Sequence, residues 1–267
     1  MRRRGWFGVL LAASLATVLC FLTLPIVAIF VDTSPLDLLS SLREEGALEA
    51  LRLSVACSAI AIGIIVLVGT PAAYLLATRR FRGRATLVTL IELPLVLPPA
   101  VAGIGLLAAL GPNGLLGRFI EDAGVELVLT TAGVVVALTF VSAPFFLRQA
   151  QSAFEALDQT WLDASRTLGA SEPRTFLAVA IPTAGPGLIS GLALAWGRAL
   201  GEFGATLMFA GSFRGITQTV PLAIYQDFST DFTGALALSA VLVAVSAALL
   251  LSVKLLSGSA WLGGAAR

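Results

Sequence analysis

The stretch "LDASRTLGASEPRTFLAVAIPTAGPG" (residues 162–187) decides how this chain folds, because it sets Asp163, Arg166, Glu172 and Arg174 in quick succession between two long apolar runs. Around it the sequence is 57% hydrophobic and only 12% charged over 267 residues. That is about half the charged share of an ordinary soluble domain, so most of the surface faces something other than water. The chain reads as an all-α integral membrane protein, and the quoted stretch as a polar element outside the bilayer.

Crossing a hydrocarbon core of about 30 Å takes about 20 helical residues. Runs of that length predict six spans, near 6–31, 52–77, 86–110, 127–149, 183–211 and 235–256, with a loop over 150–182 and one membrane domain covering 1–267. The connections sort by sign. Arg2 to Arg4 precede the first span, Arg79, Arg80, Arg82 and Arg84 fill the second connection, and Arg148, Arg166 and Arg174 belong to the fourth. Asp32, Asp37, Glu44, Glu45 and Glu49 fall in the first connection, Glu121, Asp122 and Glu126 in the third, Asp227 and Asp231 in the fifth. By the positive-inside rule both termini and the Arg-rich loops are expected in the cytoplasm, with the chain multi-pass in the cell membrane. The positives are spread over many loops, which argues against nucleic acid as a partner. Met1 to Ala28 has the charged start of a signal peptide, but its apolar run is too long for one and reads as a retained helix. Cys20 and Cys57 lie inside apolar runs and read as small hydrophobes, and no metal site is expected.

Leu157, Trp161, Ala164 and Leu168 fall at i, i+4, i+7 and i+11, along one face of a short amphipathic helix. Thr160 and Asp163 have the spacing of a capping box, and Gly169 suits the left-handed end of that helix. Ser171, with Pro173 after it, can start a second helix that Pro182 and Pro186 are expected to interrupt before the fifth span. Amphipathic spacing by itself leaves a helix lying on lipid equally open.

These residues resemble the cytoplasmic signature of the permease subunits of ATP-binding-cassette importers, written E-A-A, three residues, G, nine residues, I-x-L-P. Asp163, Ala164 and Ser165 begin it, Gly169 takes the Gly position, Val179 the Ile position, and Ile181 with Pro182 close it. Asp163 stands for Glu and Ser165 for Ala, keeping charge and small size. The resemblance implies a coupling helix that plugs into a separate ATPase, with Leu157, Trp161, Asp163, Ala164, Ser165, Arg166, Leu168 and Gly169 at the interface. The sequence has no G-x-x-x-x-G-K-[ST] loop, so ATP with Mg is expected on the partner ATPase and no cofactor on this chain.

"ELPLVLPPAVAGIGLL" (92–107), "GPNGLLG" (111–117), "RALGEFGATLMFAG" (198–211) and "TQTVPLAIY" (217–225) are similar to the permease of molybdate importers, with sulfate and tungstate permeases as near relatives. That resemblance implies the type I importer fold: a homodimer of six-helix subunits, two ATPase subunits below it and an extracytoplasmic oxyanion-binding protein above it. Phe203, Thr206 and Met208 are implied as pore-side positions, and Pro98 and Pro99 join them as pathway or gate candidates because a helix break suits a pathway wall. A threonine hydroxyl can donate to an anion without trapping it.

Pro94, Pro98 and Pro99 remove backbone donors from the third span, which predicts a kink that serves either a pathway wall or packing alone. Gly187 and Gly191, then Gly197 and Gly201, are pairs at four-residue spacing and read as helix-packing contacts. Arg198 and Glu202 stand at i and i+4, with Arg198 about 23 Å along the fifth span, and both are expected to face the bundle interior and bond each other or a neighbour. They are either a structural pair or part of an anion route. Glu92, near the inner end of the third span, carries the same choice, and Lys254 is expected to snorkel to the cytoplasmic surface. Three rivals remain: the same architecture with sulfate, thiosulfate or tungstate as cargo, an ATP-independent secondary transporter, and a membrane enzyme. With no His and no clustered intramembrane carboxylates, the enzyme has least support.

Overall fold

The computed structural model describes residues 4–33 and 45–264. Arg2, Arg3, Asp37 and Glu44 lie outside the described residues, as does the side chain of Lys254. All regular elements among the described residues are helical. They are α1 (Arg4–Val31), α2 (Glu45–Thr78), α3 (Arg84–Val96), α4 (Pro99–Leu110), α5 (Gly117–Asp122) and α6 (Thr131–Glu155). The short α7 (Gln159–Thr167) and α8 (Glu172–Thr175) follow, then a π turn (Phe176–Ala180), α9 (Ile181–Leu200), α10 (Gly204–Ala210), α11 (Val220–Asp227) and α12 (Phe232–Gly264). Among the described residues five helices are long and apolar enough to cross a membrane, and the bent pair α3 and α4 makes a sixth crossing if it counts as one span.

Helices α2, α6 and α9 form the centre, with α12 against α9 and α1 resting on α12. Ile62, Ile65 and Ala73 of α2 meet Phe146, Ala150 and Phe154 of α6 and Ala184 and Ala195 of α9 in one buried cluster. Helices in lipid gain little from burying apolar surface, so the close fit of small residues carries the packing. A Cβ at Gly187 would collide with the Ala153 methyl, and one at Gly191 would lie 3.0 Å from Gln149 Cβ. The packing expected of Gly187 and Gly191 is therefore present. Gly197 and Gly201 have no such neighbour: a Cβ at Gly197 comes only within 3.9 Å of Leu250. Buried polar groups pair between helices, Trp196 Nε1 donating to Ser58 Oγ at 3.0 Å and the Val220 amide to Ser54 Oγ at 2.8 Å.

Several span limits differ from the sequence reading. The second helix begins at Glu45, so Glu45 and Glu49 belong to its first turns and not to a loop. The fourth begins at Thr131, capped by the Thr130 hydroxyl accepting from the Gly133 amide. The third is two helices meeting at 118°, far beyond a proline kink. Pro182 and Pro186 do not interrupt the fifth, and the run Glu172–Leu200 is one continuous crossing. The π turn just ahead of Pro182 widens the backbone, which gives room for ring atoms that would clash with a regular preceding turn. That crossing then ends at Leu200, eleven residues before the expected limit of 211, because the chain breaks at Gly201 to Phe203.

Candidate functional site

Helix α7 stands out from one end of the bundle as a wedge. Asp158 caps it, its Oδ1 accepting from the Thr160 amide at 2.9 Å, so the cap is Asp158 and not the Thr160 and Asp163 box. Hydrogen bonds from the Thr160 hydroxyl and then its amide hold the Asp158 carboxyl below the usual range. At the other end the Ala170 amide reaches Ser165 O at 3.1 Å and the Gly169 amide reaches Arg166 O at 2.9 Å. That Schellman closure puts Gly169 at φ 83°, where a Cβ would be strained.

The wedge has two different faces. Leu162 is 1% exposed and joins the core cluster that contains Phe154 and Ala180, with Leu157, Phe176 and Val179 packed against it. Tyr74, Phe154 and Phe176 support that seat as an aromatic trio, with ring centroids 4.8 to 6.4 Å apart. Ser165 Oγ lies 3.0 Å from Thr175 Oγ1, a second tie to α8. Outward, Trp161 is 65% and Leu168 89% exposed, with Ala164 and Asp163 exposed between them. Thr160, Trp161, Leu168 and Val179 line a groove of about 490 Å³ on this side. Arg166 braces the turn through Asp163 at 2.9 Å and Glu172 at 3.0 Å. Glu172 first, then Asp163, push the guanidinium above its already high range.

Two broken helices form the second feature. Helix α3 has no buried residue and turns at Leu97 and Pro98 into α4, whose first residue is Pro99. Both prolines are exposed at this corner. Likewise α9 turns at Gly201 to Phe203 into α10. The two outer halves touch closely, since a Cβ at Gly103 would lie 2.6 Å from Met208 Cβ and one at Gly204 2.7 Å from Pro99 Cβ. The Phe203 ring packs against Tyr225 at a 48° tilt, 4.9 Å between centroids, and Met208 stays exposed. Thr206 differs from its expected place: α10 packs on α4 and α6, and the Thr206 side chain is wholly buried there with its hydroxyl unpartnered. In this geometry it presents no donor to open space.

Arg198 and Glu202 pair across the second break and not along one unbroken helix. Arg198 Nη2 is 2.5 Å from Glu202 Oε2, while Glu202 Oε1 accepts the Ala205 amide at 2.7 Å. The Nη2 contact is an ion pair, and Oε2 has no hydrogen-bonding partner among the described residues. Only Glu202 faces the interior as expected; it is 1% exposed, whereas the Arg198 side chain is 26% exposed. Glu92 is also neutralised, by Arg148 Nη1 at 2.9 Å. Glu155, at the end of α6, takes Arg84 Nη2 at 2.5 Å and Gln151 Nε2 at 2.9 Å. Arg84 Nε reaches Leu76 O at 2.6 Å, so α2, α3 and α6 are clasped together near the wedge. The Arg148–Glu92 and Arg84–Glu155 pairs are partly exposed, and each contributes about 0–1 kcal/mol.

Sequence reasoning missed Leu162, Ser54 and the Arg84 to Glu155 clasp. Leu162 was visible in principle as an apolar residue off the Trp161, Ala164 and Leu168 stripe of a nine-residue helix. The clasp joins residues far apart in the chain and left no local signal.

The sequence model described as "Binding-protein-dependent transport system inner membrane component" matches residues 65–260. The molybdenum transport system permease protein ModB of Mycobacterium tuberculosis is 42% identical over 233 residues, 87% of this chain and 88% of the relative. The sulfate transport system permease protein CysT of Salmonella typhimurium is 34% identical over 259 residues, 94% of this chain and 92% of the relative. Among solved structures, the bacterial alginate ABC transporter in complex with alginate pentasaccharide-bound periplasmic protein superposes with a TM-score of 0.76 at 14% identity, over 96% of this chain and 95% of the other. At that identity the likeness establishes the fold, that of the type I importer permeases. The chain belongs to the family of inner membrane components of binding-protein-dependent transport systems.

Proposed function

We propose that this chain is the membrane subunit of an ATP-binding-cassette importer that carries molybdate into the cell, with sulfate as the second cargo to test. The observation that carries the cargo is the 42% identity to molybdenum transport permeases along 87% of the chain. Sulfate stays in view because CysT is similar over nearly the whole length. Tetrahedral dianions differ little in charge, so the receptor that delivers them is expected to select among them.

In this reading two copies of the chain pair around the route, two ATPase subunits bind ATP with Mg, and an extracytoplasmic oxyanion-binding protein docks opposite the wedge. The termini and α7 lie in the cytoplasm. Exposed Trp161, Ala164 and Leu168 enter a groove on the ATPase, while Leu162 roots the wedge in the bundle, so movement on one side is felt on the other. The membrane subunit is then a bistable element that its partner biases, opening alternately to each side. Pro98, Pro99 and Phe203 stand at the corners of the broken helices, where such a change would bend the chain, and Met208 lies within α10 where it meets α4.

The test is uptake of labelled molybdate by vesicles holding the chain with its ATPase and receptor, with sulfate, thiosulfate and tungstate as competitors. ATP-dependent molybdate uptake with weak competition by sulfate is expected. Uptake without ATP, or preference for sulfate, would overturn the reading in its energy source or its cargo respectively.

A further inference from the structure

Helix α9 has an open side along its length. Thr183, Pro186, Ser190, Leu194 and Gly201 are exposed at helical spacing, and Arg198 lies on the same stripe with its side chain 26% exposed. A guanidinium turned to lipid inside a crossing helix costs several kcal/mol, so this side faces water or protein in the working assembly. The stripe holds three polar side chains, and two of them spend their donor on their own helix. Thr183 Oγ1 donates to Val179 O at 2.7 Å and Ser190 Oγ to Pro186 O at 2.9 Å.

Arg198 is different. Of its five N–H donors, the contact recorded among the described residues is Nη2 to Glu202. Glu202 is committed elsewhere by its second oxygen, which holds the Ala205 amide. The pair is therefore asymmetric: a buried carboxylate fastened to the backbone, and a partly exposed cation on the open stripe with further N–H donors. Gly197 and Gly201, with no tight neighbour, leave room beside it.

We infer that Arg198 is the intramembrane contact for the transported oxyanion, a tetrahedral dianion that meets the free guanidinium fork as it passes the break between α9 and α10. This rests on the importer reading above. Glu202 fixes the fork and cancels one charge, which keeps the grip weak enough for release. A planar fork matches two oxygens of such an ion better than an ammonium does.

The test compares the whole importer, chain with ATPase and receptor in vesicles, in wild-type form and as Arg198→Lys, Arg198→Gln and the double variant Arg198→Gln with Glu202→Gln. The double variant leaves no unpaired buried charge, so it folds where the single one fails. The reading is molybdate imported per ATP hydrolysed. Loss of one charge-assisted contact should lower that ratio about tenfold or more in the Gln variants, with Arg198→Lys falling between them and wild type. In a form with Cys20 and Cys57 replaced by Ser, Arg198→Cys should react with an anionic, membrane-impermeant thiol reagent, and molybdate-loaded receptor with ATP should alter the rate. An unchanged ratio, or uptake and hydrolysis falling in equal proportion, would show a structural brace and overturn the inference, as would an unreactive cysteine. Wild type that imports no oxyanion would instead overturn the importer reading, and this inference with it.

Discussion

Replacing Leu162 with alanine separates the wedge from the bundle without touching the surface that a partner would see. Leu162 is almost fully buried beside Phe154 and Ala180, and truncating a leucine in such a seat costs about 2–5 kcal/mol. The other ties are weaker. The Ser165 to Thr175 hydrogen bond contributes about 1 kcal/mol, and the exposed pairs of Arg166 about 0–1 kcal/mol each. A loss near the middle, about 3 kcal/mol, shifts the undocked population about a hundredfold at 1.4 kcal/mol per decade. Hydrogen exchange in nanodiscs reads this directly. Amides of Thr160 to Gly169 should exchange about a hundredfold faster in Leu162→Ala while those of α2 and α6 keep their wild-type rates. In the complete importer the ATP hydrolysed per molybdate moved should rise. Exchange unchanged within about threefold, well below the worked shift, or a uniform loss of protection across α2 and α6, would refute the idea that one buried side chain roots the wedge.

Other outcomes follow from the same geometry. Gly169→Val forces a β-branched residue to φ 83° and should cost about 1–2 kcal/mol or more at the wedge end, seen as faster local exchange. Trp161→Ala with Leu168→Ser removes exposed apolar surface and should leave thermal unfolding of the isolated chain within about 0.5 kcal/mol of wild type, while ATPase co-purification falls sharply. Asp227, raised by desolvation and by Asp231 against the opposing pull of Arg214, binds its proton more tightly folded than unfolded. Its penalty is present at neutral pH and relieved as pH falls through the raised value, so Asp227→Asn should raise the melting temperature at pH 7 by about one to two degrees and lose that advantage in acid. Gly187→Leu, facing the Ala153 methyl across α6, should overpack the bundle by about 1–3 kcal/mol and lower membrane accumulation of the chain.

The crossings were legible because each is a long apolar run bounded by charge, and the wedge because Trp161, Ala164 and Leu168 repeat at helical spacing with Gly169 after them. What stayed hidden depends on angle or on distant partners. Pro98 and Pro99 announce missing donors, yet nothing in them states whether the chain bends slightly or turns through 118°. Pro182 and Pro186 look like stops until the π turn before them is seen. Arg198 and Glu202 have helical spacing, so the sequence suggests one continuous helix, whereas the break at Gly201 gives each a different surrounding. Thr206 was chosen for the chemistry of its hydroxyl, and the tight seat of α10 on α4 closes it off.

The five-residue π turn at Phe176–Ala180 also sets an azimuth. A π turn holds one more residue than the α-helix would, and one residue corresponds to about 100° around the axis. Everything beyond Ala180 is thus phased by that surplus residue relative to Glu172–Thr175, which Ser165 grips from the wedge. Shortening the turn by a single residue would swivel Ser190, Leu194 and Arg198 toward different neighbours while barely altering the length of the rod.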